Sequence, residues 1–274
     1  MLDPLTGPGL DTLSLAPATT QQHAAQVRQA RQHLDDLTAH PDAVDFDAAR
    51  LSDASGATVS AWVDSRQGLS ATATGTPEMH RAAPEIGGWP AVEYAATGER
   101  HVGTAIDWSA YNVATLITVW YSDVSGSNAG IASLHANLSA VPAISGDIEH
   151  LLGMSSGYWT PLHRPDGAGN FFLERDQIDD TGAPQATVSV HDTAAKALAD
   201  EIRGYQNGVE ITGSTTGVSG GGANWRSVIY PVIGERGDDA GEGLDGRVAR
   251  FIALPVAIDG LAASRVLLLA YGLT

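Results

Sequence analysis

The chain has no cysteine, a single lysine (Lys196) and little positive charge of any kind. Without cysteine, thiol nucleophiles, thiolate-bound metals and a disulfide framework are excluded. Basic residues number 15 against 32 acidic ones, giving a formal net charge of −17. A surface of that sign repels nucleic-acid phosphate and anionic lipid, so no nucleic acid partner and no membrane insertion are expected. No apolar run approaches the ~20 residues of a membrane span. The opening Met1-Leu2-Asp3-Pro4-Leu5 lacks the basic stretch and apolar run of a secretory signal. A place outside the cell would then be reached by lysis, by non-classical export or within a particle. What the chain has in plenty is turn chemistry. Its 31 glycines recur with Ser, Thr, Asn and Asp in short clusters, in a sequence that is 43% hydrophobic. That combination predicts many short strands around a sizeable core.

Residues 1–18 read as an extended arm. Thr19 and Thr20 offer a helix N-cap, and Ala24, Val27, Ala30, Leu34 and Leu37 follow at spacings of three and four. An amphipathic helix is therefore expected up to Thr38, stopped by His40-Pro41-Asp42. Its thin apolar stripe needs cover, either from its own domain or from another chain. Beyond residue 43 the period falls to two. Val59, Ala61 and Val63 alternate with Ser60, Trp62 and Asp64; Ala91–Tyr94 is a short strand and Val113–Tyr121 a long buried one. Two alternating runs flank Asn207-Gly208, the strongest short-range hairpin signal. Val228–Ile233 and Val248–Val256 add strands, and residues 213–224 read as a flexible loop. Asp259 caps a closing helix, Gly260–Ala270, ended by Tyr271-Gly272. The expected fold is all-β: an antiparallel β-sandwich over 43–274, an N-terminal arm and helix over 1–42 for attachment or oligomerisation, and a short C-terminal helix.

The order of motifs resembles the bacterial and phage laminin-G-like jelly rolls of the concanavalin A-like lectin and glucanase superfamily. The resemblance rests on Phe46-Asp47-Ala48-Ala49-Arg50-Leu51 followed by Val59-Ser60-Ala61-Trp62-Val63-Asp64-Ser65. Next come Ala71-Thr72-Ala73, a proline (Pro77 or Pro84) and Gly88-Trp89-Pro90-Ala91-Val92-Glu93-Tyr94. Asn207-Gly208-Val209, Ile233-Gly234, Gly246-Arg247-Val248-Ala249-Arg250 and Tyr271-Gly272-Leu273 complete it. The chain departs from that pattern at Arg66, where a small residue is usual, and at Arg250, where an acid is common. Residues 123–195 align with nothing in it.

Several constellations bear on chemistry. Gly153-Met154-Ser155-Ser156-Gly157 matches G-x-S-x-G, but Tyr158-Trp159-Thr160-Pro161 is not the helix a nucleophile elbow requires. Glu174, Asp176 and Asp179 resemble the acidic strand of endo-glucanases sharing this sandwich. Period two puts Glu174 and Asp176 on one face but Asp179 on the other, and the usual third acid is glutamate. No catalytic residue is therefore expected; Glu174 and Asp176 are the candidates if the chain is an enzyme. The nine histidines show no H-x-x-x-H or carboxylate-rich ligand spacing. Asp179, Asp180, Asp238 and Asp239 offer loop oxygens to calcium, which laminin-G-like domains sometimes carry; no other cofactor is expected. The glycine-rich stretch at 213–222 has no G-K-[ST] and is no phosphate loop. Glycan contacts are better motivated, because sugars are held by aromatic faces beside amides and carboxylates. Tyr158, Trp159, His163 and Arg164 form one such group, in an expected loop; Asn224 and Trp225 form another.

The function expected from these readings is structural and recognitive rather than enzymatic. The arm and helix attach a homo-oligomer to other structural proteins of a phage-like particle, and the sandwich binds surface carbohydrate as part of a virion spike, fibre or decoration. A polysaccharide-cleaving enzyme on the same scaffold, a cell-surface adhesin and a ligand-free spacer are the alternatives.

Overall fold

A computed structural model of the chain describes residues 20–37, 39–95, 98–123, 129–136, 148–152, 159–163, 171–175, 182–194, 200–211, 213–217, 224–225, 227–235 and 243–273. Two helices, α1 (Thr20–Leu37) and α2 (Gly260–Tyr271), bracket the strands. In chain order these are β1 (Val44–Asp47), β2 (Ala61–Val63), β3 (Ser70–Thr74), β4 (Glu78–Ala83), β5 (Trp89–Tyr94), β6 (Arg100–Gly103), β7 (Val113–Ser122) and β8 (Ala129–His135). There follow β9 (Ile148–Leu152), β10 (Trp159–His163), β11 (Phe171–Arg175), β12 (Gln185–Asp192), β13 (Ile202–Gln206), β14 (Val209–Glu210), β15 (Gly213–Gly217), β16 (Tyr230–Ile233) and β17 (Gly246–Leu254).

Among the described residues the strands form two antiparallel sheets. An eight-stranded sheet runs β14-β13-β12-β7-β17-β5-β4, with β1 also paired to β17. A nine-stranded sheet runs β15-β11-β10-β9-β8-β16-β6-β3-β2. The chain is thus the all-β sandwich that the alternating pattern predicts. Alternation also assigns the faces. On β7, Leu116 and Trp120 point between the sheets while Ile117 and Val119 point outward under the helices. The strand reads as an unbroken apolar run because both of its faces are covered. Trp62 is fully buried between the sheets and its neighbour Val63 is exposed, as opposite faces of one strand require.

The outer face of the eight-stranded sheet carries a second apolar layer. Here α2 lies on the sheet, and α1 lies against α2. Ala30 and Leu34 of α1 are fully buried, Val27 and Leu37 are half-buried, and Ala24 is exposed. The helix stripe therefore finds its cover within its own chain, so an attachment role through 1–42 does not use that stripe. Residues 1–19 lie outside the described residues. Arg31 of α1 stands 3.9 Å over the Trp89 ring, and the Trp89 indole N–H donates to the Tyr271 carbonyl at 3.1 Å. At α2 the Asp259 carboxylate accepts from the Ala262 N–H at 3.0 Å, and Gly272 takes the left-handed cap at φ 64°. The hairpin turn forms where expected: Asn207 and Gly208 have φ of 48° and 77° between paired Gln206 and Val209.

Two expected loops are strands. Residues 159–163 pair with β9 and β11, and residues 213–217 pair with β11 through the whole of β15. Glycines and small hydroxyl residues hid the second strand, because they carry a weak strand propensity that tertiary pairing overrides.

The two arginines that depart from the family pattern meet at one carboxylate. Arg250, 3% exposed, donates from Nε and Nη2 to the two oxygens of Asp45 at 2.8 and 2.7 Å. Arg66 Nε lies 3.9 Å from the same side chain, and its Nη2 donates to the Asp35 carbonyl at 2.6 Å. Asp64 accepts from the backbone N–H groups of Asp45, Arg66 and Gln67. This ionic seam ties β1, β17, α1 and the 64–67 turn together. Asp45, chiefly, and Asp47 hold the Arg250 guanidinium charged against the opposing cost of its burial.

Candidate functional site

Of the two expected aromatic groups, the structure keeps neither tryptophan at the surface. Trp159 begins β10 and is fully buried between the sheets, 3.1 Å from where a Cβ on Gly204 would stand. The indole occupies space that any larger residue at 204 would take, so it is a core residue and offers no face to a ligand. Trp225 is 3% exposed and packs in the same layer. Asn224 beside it is exposed. His163 lies on β10 opposite Phe171, and Glu174 on β11 opposite Ser214. Tyr158, Arg164, Asp176, Asp179, Asp180, Asp238 and Asp239 lie outside the described residues, as does the G-x-S-x-G segment.

The structure does gather polar groups around Asn224, at the end of the eight-stranded sheet where β1 and β7 begin and β12 ends. The turn before β7 is fixed first. Asp107 accepts from the Ser109 N–H and hydroxyl at 2.9 and 2.7 Å, which holds its carboxyl below the usual range. Trp108 is buried and donates its indole N–H to the Asp42 carbonyl at 3.3 Å. Tyr111 follows, half-buried, with its hydroxyl donating to the Asp42 carboxylate. That bond, then burial and the carboxylate charge, push the phenol up. His40 meets the Tyr111 ring edge-on, centroids 6.0 Å apart. The loop at 224–225 docks on this turn: the Trp225 N–H donates to the Tyr111 carbonyl at 2.8 Å, and the Asn224 amide donates to the Ser109 carbonyl at 2.7 Å. Thr193 closes the group by donating to the Asn112 carbonyl at 3.0 Å.

The result is a shallow rim that offers a fixed aromatic ring, two carboxylates (Asp42 and Asp107), an exposed amide and an imidazole. Such a set stacks on the apolar face of a ring-shaped polyol and accepts from its hydroxyls. The sequence reading found Asn224 but missed Tyr111, Asp42 and His40, which are brought together where the segments before β1 and before β7 touch.

A concavity lies beside α1. Its walls are Arg31, Asp35, Asp47, Ala49, Arg50 and Arg250, and its volume is about 270 Å³. Its floor is the Arg250 ion pair, and the nearby Trp89 ring is capped by Arg31. The ring beside it is therefore covered by a cation.

With the sandwich and its rim in view, the chain can be set beside proteins of known structure. No protein family and no curated protein matches its sequence. Solved structures do match. Domain 4 of AbnA, a GH43 extracellular arabinanase from Geobacillus stearothermophilus in complex with arabinotriose, aligns with a TM-score of 0.56 at 12% identity. The alignment covers 81% of this chain and 96% of that domain. A Trypanosoma rangeli sialidase, solved as its covalent 2,3-difluorosialic acid intermediate, aligns at 0.55 and 12% identity. It covers 90% of this chain but 38% of the sialidase, and the same enzyme with sialic acid gives 0.54, 14%, 91% and 38%. The shared feature is the sandwich. This chain spans about two fifths of the sialidases' length and nearly the whole of the arabinanase domain.

Proposed function

We propose that the chain is a non-enzymatic carbohydrate-binding sandwich that holds a glycan at the Tyr111 rim. The observation that carries this reading is the Tyr111 ring, held by Asp42 beside the exposed Asn224. The arabinanase domain, which has the same sandwich over its length, binds arabinotriose, and that supports the sugar class of ligand. The spike, fibre or decoration role in a phage-like particle rests on the sequence resemblance alone; glycan recognition is the part of it that the rim supports. Oligomerisation and attachment would then fall to residues 1–19 or to the exposed face of α1.

The test is a glycan array followed by calorimetry on the best ligand, with arabinan oligosaccharides and sialylated glycans included. Tyr111→Ala should weaken binding by roughly twofold to tenfold, since a stacked aromatic contributes about 0.5–1.5 kcal/mol beyond its area. Trp159→Phe should leave the affinity unchanged. An array with no bound glycan, or equal binding by the Tyr111 variant, would sink the reading.

A polysaccharide-cleaving enzyme is the second reading. Glu174 does lie on a strand, as a catalytic carboxylate of that scaffold must. Incubation with arabinan and with sialyllactose, for the wild type and for Glu174→Gln, separates the two: turnover lost in the variant would favour the enzyme.

A further inference from the structure

Glu78 and His80 are alternate residues of β4, the edge strand of the eight-stranded sheet, so both project from one face. Glu93 on β5 is the register partner of Glu78, and His80 is opposite Ala91, which is too small to cover an imidazole. One ligating atom from each of Glu78, His80 and Glu93 lies within 4.8 Å of the other two. His80 Nε2 and Glu93 Oε2 are already in contact. The intervening Met79 and Val92 are fully buried on the opposite face, so backbone register fixes the three donors. Immediately after His80 the pairing shifts by one residue before resuming at Ala83, an edge bulge of the kind that re-aims side chains.

The support behind the donors is a separate observation. Glu93 Oε1 accepts from Arg247 Nη2 at 2.6 Å, which leaves Oε2 turned to His80. Arg247 is itself held by Asp123 at 3.3 Å and lies over the Tyr121 ring at 5.9 Å. A ligating carboxylate oriented from behind in this way is the usual companion of a bound metal. Glu85 also reaches Arg247, at 3.8 Å. One arginine thus faces three carboxylates, and with Glu78 close by the neighbourhood keeps an excess of negative charge.

We propose that Glu78, His80 and Glu93 form a binding site for a divalent transition metal of the zinc class. An imidazole nitrogen with two carboxylate oxygens suits zinc and its neighbours; calcium and magnesium take oxygen-only sets. Three protein ligands leave a position open to water or to a donor from outside. The site lies on a sheet edge and shares no residue with the Tyr111 rim, so its failure and that of the glycan reading are independent.

The experiment is calorimetric titration of untagged, chelator-stripped full-length protein with zinc chloride and, in parallel, with calcium chloride. The expected result is one zinc ion per chain, with calcium binding far more weakly. His80→Ala and Glu78→Gln should each weaken zinc binding by about tenfold or more, and Glu210→Gln on the exposed β14 should not. Glu78→Gln leaves the His80–Glu93–Arg247 contacts intact, so a thermal melt matching wild type will separate lost ligation from lost folding. Absence of zinc binding, equal affinity in both ligand variants, or calcium binding as tight as zinc would overturn the proposal.

Discussion

Two arginines on one strand, three residues apart, lead different lives. Arg250 sits in the middle of β17, 3% exposed, gripped by both oxygens of the fully buried Asp45. Arg247, nearer the strand's start, is 12% exposed and shared among Glu93, Asp123 and Glu85. The register shift between Val248 and Arg250 separates them. At the buried site the two-pronged Asp45 contact dominates over Asp35 and Asp47, because an unpaired charge there has no water to fall back on. At the edge several partners suffice and none is essential, which leaves room for a ligand. Depth in the sheet decides whether a charge serves the fold or stays available for binding.

Removing the buried partner tests this most severely. Asp45→Ala should cost about 3 kcal/mol in urea unfolding, at the low end for a broken buried pair because Asp35 and Asp47 remain 3.3 and 4.0 Å from Arg250. Asp45→Leu with Arg250→Met should restore most of it, since a packed apolar pair replaces both charges. A cost below about 1 kcal/mol for Asp45→Ala would place the seam among ordinary surface pairs.

His101 sharpens the same contrast from the side of titration. It is fully buried and pairs with no carboxylate among the described residues, donating from Nε2 to the Val59 carbonyl at 2.9 Å and accepting at Nδ1 from the Tyr94 hydroxyl at 3.0 Å. Burial, offset in part by the Val59 bond, moves it from 6.5 to about 4. Between those values the unfolded chain takes up a proton that the folded chain refuses. The contribution is therefore complete above pH 6.5 and is lost as pH falls toward 4, by roughly 3 kcal/mol. Unfolding free energy measured from pH 7 to 4 should fall accordingly, and His101→Gln should flatten the slope in that window. An unchanged slope would mean that other groups govern acid stability. The smallest effect belongs to the edge: Arg247→Ala should cost no more than about 1 kcal/mol by the same assay.

Much of the sandwich was legible because strand alternation is written locally. The Asn207-Gly208 hairpin, the closing helix and the two-faced β7 needed no tertiary knowledge. The segments expected to be loops, β10 and β15, carry proline or glycine and small hydroxyl residues and become strands by pairing with neighbours; β8, β9 and β12 fall in the stretch 123–195 that resembles nothing, and went unassigned. Sites fared worse for a different reason. The tryptophans are expected as ligand platforms, yet both are large apolar rings that pack between the sheets. Helical spacing of histidines does not reveal the proposed metal site, because on a strand side chains of one face recur every second residue, as Glu78 and His80 do. Glu93 joins them from the neighbouring strand, beyond the reach of any spacing rule.

The place of β17 in the sheet has a consequence for how the protein is made. This strand pairs with β1, β5 and β7, and it is the last strand in the chain. During synthesis the eight-stranded sheet lacks its centre until Leu254 has emerged. The strands already released wait with unpaired edges and uncovered apolar faces. Closure then joins the first strand to the last across more than two hundred residues, a slow, long-range step. A nascent chain stalled before residue 246 should thus be a substrate for chaperones, and one with β17 released and paired a poorer one.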